Sequence, residues 1–416
     1  MTNSSKETVL ILGAGQAGGQ CAASLRRSGF TGQVILAGDE QHPPYQRPPL
    51  SKAYLSGEVT QDRLWLQSPE TWQEQSVELR LGANATRITT ATKCVSFENG
   101  PDQHYSHLVL ATGSRVRPLP VVGADLEGVR YLRNIADVDA LKVDFAPGKR
   151  IAVIGGGYIG LEAASVARKL GARPVVIEAM DRLLARVATP PLSDFYLKAH
   201  RAHDVEVRLT TTVEALRGIN GRVSAVLLGD GSEIACDSVL VGIGVLPNQE
   251  IAAEAGLNVE NGIVTDENCQ TSEPAIYAIG DCANGINRVY HRRMRLESVP
   301  NAIEQAKLAA ATICKQPPPK PETPWFWSDQ FDFKLQSAGL VTGADKTIVR
   351  GDPANGSFAL FHLAAGHLIA ADAVNDPPSF MAAKIMIANG AAPDPAHLAD
   401  TNISMKDIMR GTVADQ

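Results

Sequence analysis

Residues 151–162 read IAVIGGGYIGLE. Four apolar residues of strand type run into Gly155-x-Gly157-x-x-Gly160, and a helical pattern follows at Leu161, Ala164, Val166, Ala167 and Leu170. In such a run the first glycine permits a tight turn, the second lets the backbone approach a pyrophosphate, and the third lets helix and strand pack closely. The phosphates then meet free N–H groups at the positive end of a helix. Val175, Val176 and Ile177 form a second strand, and Glu178 at its end stands where a ribose hydroxyl is read. Strand, glycines, helix, strand and terminal acid in this order predict a dinucleotide-binding unit.

Working outward, the same pattern recurs near the start of the chain. Residues 8–12 (TVLIL) lead into Gly13-x-Gly15-x-x-Gly18, a helix to about Arg27, a strand over 34–37, and then Asp39 and Glu40. The two fingerprints have different surroundings, which favours two different nucleotides over a plain duplication. After the first unit, residues 43–52 (PPYQRPPLSK) carry four prolines, too many for a regular helix or central strand. This stiffened stretch reads equally as a surface connection or as a wall placing Arg47 and Lys52 against a cofactor. Residues 107–111 (HLVLA) form a strand ending in Thr112-Gly113, and the second unit ends near Gly242-Ile243-Gly244. A further strand over 275–283 ends in Gly280-Asp281, where the carboxylate either accepts bonds from a hydroxyl chain or caps a helix. That strand has no place in the second unit, so the first unit is interrupted by the second and resumes after it.

Residues 315–324 (KQPPPKPETP) form a polyproline-type linker. Beyond it strands are expected near 333–340, 347–350, 357–363 and 368–374, with a helix near 380–388, and this part opens with WFWSDQ over 325–330. The expected architecture is α/β: two nested Rossmann-like dinucleotide-binding domains plus a C-terminal α+β domain, a glutathione-reductase-like fold. The expected domains are 1–113 with 244–322, 114–243, and 323–416.

Composition narrows the function. The chain has 416 residues, 44% of them hydrophobic and 20% charged, with a net charge of −6, which disfavours nucleic acid or an anionic membrane as main partner. No apolar run approaches the roughly 20 residues of a membrane span, and the N-terminal stretch has no signal-peptide pattern. Cys21, Cys94, Cys236, Cys269, Cys282 and Cys314 have no C-x-x-C spacing, so reduced thiols in a cytoplasmic protein and no metal site are expected.

Nested dinucleotide domains with a C-terminal cap suit a flavin enzyme fed by a nicotinamide. On the two fingerprints, Pro48-Pro49-Leu50-Ser51-Lys52, Ala111-Thr112-Gly113, Tyr158-Ile159-Gly160-Leu161-Glu162, Gly280-Asp281-Cys282-Ala283, Glu297-Ser298-Val299-Pro300-Asn301 and residues 325–330, the chain resembles a known family over nearly its whole length. That family is the FAD-dependent ferredoxin reductases of bacterial oxygenase systems, which includes putidaredoxin reductase and the reductases of Rieske dioxygenases.

The resemblance implies FAD in the outer domain, NADH in the inserted one, and a two-iron two-sulfur ferredoxin as acceptor. It further implies a monomer. FAD would be held by Gly13, Gly15, Ala17, Gly18, Asp39, Arg47, Lys52, Ala85, Thr112, Gly113, Arg133, Gly280, Asp281, Val299 and Trp327. NADH would be held by Gly155, Gly157, Tyr158, Ile159, Gly160, Glu178 and Gly244. Lys52, Glu162 and Trp327 would act at the flavin. Glu162 also reads as an acid in a helix's first turn, and Trp327 as plain core. Glu178 favours NADH over NADPH, with Arg173 and Arg182 as the basic residues that would favour a 2′-phosphate. An acidic ferredoxin would need a locally basic face, with Arg292, Arg293, Arg295, Lys307, Lys334 and Lys406 as candidates.

A disulfide reductase is excluded because residues 47–52 hold no cysteine. An NADH oxidase or rubredoxin reductase would use the same domains. A flavin-bearing interaction protein resembling apoptosis-inducing factor is the reading from another class.

Overall fold

A computed structural model describes residues 7–413; the N-terminal stretch read above for a signal peptide lies mostly outside them. The chain forms two compact units. Unit one holds the described residues up to Gln46, with Gln61–Arg115 and Leu246–Glu322; unit two holds Arg47–Thr60, Val116–Val245 and the described residues from Thr323 on.

Unit one is built on a five-stranded parallel sheet, in the order Ile276–Ala278, His107–Leu110, Thr8–Leu12, Gln33–Gly38, Val77–Leu81. Parallel strands are covered on both faces and so read as unbroken apolar runs. Alternate residues of Thr8–Leu12 serve the two faces. Val9 and Ile11 pack with Cys21, Ala22 and Leu25 of the helix Gln16–Arg27 and with Ala306 and Ala309 of the helix Val299–Ile313. Leu10 and Leu12 pack with Ile88, Val95 and Phe97. Ile276 pairs with Leu108 and Ala278 with Leu110, so the late strand completes the sheet begun at residue 8.

Unit two contains a second parallel sheet, in the order Glu206–Arg208, Arg173–Ile177, Arg150–Ile154, Ser238–Val241, Val129–Arg130. It also contains an antiparallel sheet in the order Trp325–Gln330, Phe333–Gly339, His367–Val374, Ser357–Ala364, Lys346–Asp352. The helix Pro377–Ala388 covers that sheet through Phe380, Ala383, Met386 and Ile387.

Two details depart from expectation. Residues 325–330 form a strand. Residues 48–51 form a 3-10 turn with Pro48 and Pro49 at its first positions, where no N–H donor is needed. The segment Arg47–Thr60 belongs to unit two because its side chains are anchored there: the Tyr54 hydroxyl donates to Asp139 at 2.8 Å, and Lys52 pairs with Glu162. Among the described residues no helix is long and apolar enough to cross a membrane.

Candidate active site

The two fingerprint helices, Gln16–Arg27 and Tyr158–Lys169, start differently from four other helices. Ser68, Asn134, Ser298 and Asp376 cap other helices with side-chain oxygens. At the fingerprint helices the N-cap is Gly15 or Gly157, no side chain caps the end, and the first turn holds no acid. Their N–H groups and positive dipole ends are therefore left for an external anion. A Cβ placed on Gly15 or Gly157 would meet nothing within 4 Å. The flanking glycines do the opposite. Gly155 has φ +107°, and a Cβ on Gly160 would overlap the Gly155 carbonyl oxygen; Gly13 (φ +113°) and Gly18 repeat this in unit one. Both cradles fit a dinucleotide pyrophosphate on these grounds.

The acids that follow the second strands differ between the units. Glu178 accepts the Gly156 N–H at 2.7 Å and the Met180 N–H at 2.8 Å. In unit one the position equivalent in register is Gly38, because Leu12 pairs with Ala37 as Ile154 pairs with Ile177. A Cβ on Gly38 would lie 2.6 Å from the Ala14 Cβ. The second unit has glycine at position 156 and an acid facing it; the first has Ala14 and a glycine. Asp39 lies one residue further on and is exposed, whereas Glu40 accepts the Tyr45 hydroxyl at 2.6 Å. The two basic residues near Glu178 are not placed for a phosphate. Arg182 donates to the carbonyls of Ala188 (2.7 Å) and Ala185 (2.8 Å) and to the Ser193 hydroxyl (2.9 Å). Arg173 is exposed at the far end of its strand from Glu178.

Several expected residues are brought together within unit one. The Asp281 carboxylate accepts the Ser114 hydroxyl at 2.9 Å, and its carbonyl accepts Arg295 at 3.2 Å. Asp281 lies inside the 3-10 turn Gly280–Cys282, so the helix-cap alternative fails. The Gly280 N–H donates to Gln305, and a Cβ there would come within 2.9 Å of Ala17. The Thr112 hydroxyl donates to the Asn248 carbonyl at 2.6 Å, beside Gly113 (φ +66°). Val299 is the first residue of a helix capped by Ser298. Ala85 instead opens a strand of a separate three-stranded sheet.

In unit two, Arg47 donates to the Arg133 carbonyl at 2.6 Å. Gly244 (φ +105°) faces the guanidinium of Arg186. Ile159 is exposed in the first turn of its helix. The Tyr158 ring meets Phe326 edge-on at 4.8 Å; burial pushes its phenol well above the usual range and keeps it neutral.

The centre of unit two is a buried ion pair, with Lys52 Nζ 2.7 Å from Glu162 Oε2. Glu162 is only 4% exposed and lies beyond the first turn of its helix, so it is not a solvated helix-start acid. It also accepts the Ser51 hydroxyl at 2.5 Å and the Ser328 hydroxyl at 2.6 Å. Sequence reasoning missed both serines, although each lies inside a motif that carried the resemblance. Trp327, the residue singled out there, points to the opposite face of the strand from Ser328, with its ring 5.5 Å from that of Trp325.

All six cysteines are free. Burial pushes the Cys21 and Cys236 thiols up to about 12, so they stay protonated and unreactive.

Two glycine cradles open to a pyrophosphate mark a protein of two dinucleotides. Residues 7–306 match the pyridine nucleotide-disulphide oxidoreductase family and residues 325–409 the reductase C-terminal family. The chain belongs to the pyridine nucleotide-disulphide oxidoreductase family and uses FAD and NAD(H). It is 45% identical over 400 residues to a probable ferredoxin reductase of Castellaniella defragrans, covering 96% of this chain and 98% of that one. Putidaredoxin reductase of Pseudomonas putida is 40% identical over 414 residues, covering 98% of each chain. The solved covalent putidaredoxin reductase–putidaredoxin complex superposes with a TM-score of 0.96 at 40% identity, over 98% of this chain and 99% of that one.

Proposed function

We propose that the protein is an NADH-dependent ferredoxin reductase, passing electrons from NADH through FAD to a two-iron two-sulfur ferredoxin that feeds an oxygenase, as a cytoplasmic monomer. The relatives named above, covered over nearly their full length, support the ferredoxin as acceptor. The observation that carries the assignment of the reacting centre is the Lys52–Glu162 pair, built on the same helix as the nicotinamide fingerprint.

When bound, FAD accepts two electrons as hydride and releases them singly. The residues assigned to it are Gly13, Gly15, Ala17, Gly18, Asp39, Arg47, Lys52, Ala85, Thr112, Gly113, Arg133, Gly280, Asp281, Val299 and Trp327. The N–H groups at the start of Gln16–Arg27 bind its pyrophosphate, and those at the start of Tyr158–Lys169 bind that of NADH. Gly155, Gly157, Tyr158, Ile159, Gly160 and Gly244 shape the NADH cradle, and Glu178 reads the adenosine ribose. Lys52, held by Glu162, would supply a fixed cation to the bound flavin, and so would stabilise negative charge on it. Trp327 would be a further contact to FAD.

The test is direct. The purified FAD-loaded protein should be bleached by NADH within milliseconds to seconds and should reduce cytochrome c only when a two-iron two-sulfur ferredoxin is added. Oxygen consumption that is equally fast without ferredoxin would make it an oxidase instead.

A further inference from the structure

The Lys52–Glu162 pair does not end the buried polar chain. The Ser328 oxygen accepts from Gln330 Nε2 at 3.1 Å, and Gln330 Oε1 meets His200 Nε2 at 2.9 Å. Ser328, Gln330 and His200 are each 0% exposed. Chemistry fixes the direction of every bond. A carboxylate only accepts, so the Ser328 hydroxyl donates to Glu162. With its hydrogen committed, Ser328 accepts from the Gln330 amide. This turns the Gln330 carbonyl toward His200, whose Nε2 must then carry the hydrogen.

His200 Nδ1 is buried without a partner among the described residues. A second proton would therefore bury an N–H with no acceptor, and burial pushes the imidazole down to about 4. All three hydrogens point toward Glu162, and aligned hydrogen bonds strengthen one another. The chain joins the helix Pro190–Ala202, the strand Trp325–Gln330, the helix Tyr158–Lys169 and the turn Pro48–Ser51, all in unit two.

We propose that Ser328, Gln330 and His200 are positioning residues: a one-way relay that locks the Glu162 carboxylate and, through it, the Lys52 ammonium for hydride delivery to the flavin. The inference rests on the function stated above. Lysine is a point charge on a flexible four-carbon stem, and the Lys52 side chain is still 17% exposed. Its station is defined by Glu162 and by the Pro48 carbonyl at 3.3 Å. Glu162 has one orientation only while both oxygens are held; without Ser328, Oε1 becomes a buried unsatisfied acceptor and the carboxylate turns.

The test uses the FAD-loaded protein in anaerobic single turnover with NADH, with Glu162→Gln and Ser328→Ala made singly and together. Each single change is expected to slow flavin reduction about tenfold, the effect of one charge-assisted hydrogen bond. The double variant should be no slower than Glu162→Gln alone, and Ser328→Thr, which keeps the hydroxyl, should restore the rate. Independently of activity, ¹⁵N NMR should show His200 as the Nε2–H tautomer only. Multiplying losses in the double variant, a wild-type rate in Ser328→Ala, or an Nδ1–H tautomer would overturn the relay while leaving the Lys52–Glu162 assignment intact. A wild-type rate in Glu162→Gln would remove that assignment and the relay with it.

Discussion

Glu178 has both carboxylate oxygens on backbone N–H groups of its own unit, at 2.7 and 2.8 Å. Its orientation is thus set before any nucleotide arrives, and its charge repels a 2′-phosphate. Glu178→Gln keeps one acceptor but removes the charge. The preference for NADH over NADPH in flavin reduction should fall by about 2 kcal/mol, roughly thirtyfold; an unchanged ratio would refute the ribose assignment. Arg182 should not affect this ratio, because its guanidinium already serves the loop at Ala185 and Ala188. Lys52 is the other residue with a sharp expectation. Lys52→Ala leaves Glu162 buried without its cation, so flavin reduction should slow by about a hundredfold and the melting temperature should drop. A wild-type single-turnover rate would exclude Lys52 from the reacting centre.

The elements were legible to unequal degrees, and the reason is physical. Strands buried on both faces, such as Thr8–Leu12 and Arg150–Ile154, announce themselves as apolar runs leading into glycine. The strand Trp325–Gln330 does not, because Ser328 and Gln330 lie on its buried face and Trp325 and Trp327 on the other. That inversion conflicts with the usual pattern at the place where the strand serves Glu162, and such conflicts gather at functional sites. Lys52 and Glu162 came together in the sequence reading only through a resemblance; neither spacing nor periodicity could bring a proline-rich turn to a helix more than a hundred residues away.

The helix Pro190–Ala202 carries the consequence for stability. Its His200 is held neutral by burial, helped by the nearby His203, with its pKa pushed down from 6.5 to about 4. Between those values the unfolded chain binds the extra proton, so stability rises with pH through this window and is lost as pH falls. The loss attributable to His200 should reach roughly 3 kcal/mol near pH 4. Denaturant melts of the protein and of His200→Asn should show the variant losing that part of the slope; parallel pH profiles would contradict the burial argument.

At the scale of the whole molecule, the proposal that a chain of net charge −6 serves an acidic ferredoxin calls for local basic groups, and the candidates differ in their surroundings. Arg293 donates to the carbonyls of Thr265 (2.8 Å) and Asn284 (2.5 Å), and Arg295 to the Asp281 carbonyl and Glu297. Both are held by hydrogen bonds within unit one, Arg293 while exposed and Arg295 with its side chain 11% exposed. Arg292 is exposed over the Tyr290 ring at 5.7 Å, and Lys307, Lys334 and Lys406 are exposed. Arg292→Glu should therefore raise the KM for ferredoxin roughly threefold at low salt and weaken its salt dependence. Flavin reduction by NADH should not change. Arg293→Ala should act the other way, lowering the melting temperature through two lost charge-assisted bonds, about 1–3 kcal/mol, with little effect on salt dependence. Steady-state titrations with ferredoxin across ionic strength, paired with thermal melts, separate the two. Turnover that ignores both salt and the Arg292 reversal would mean that the acceptor docks without electrostatic guidance from Arg292.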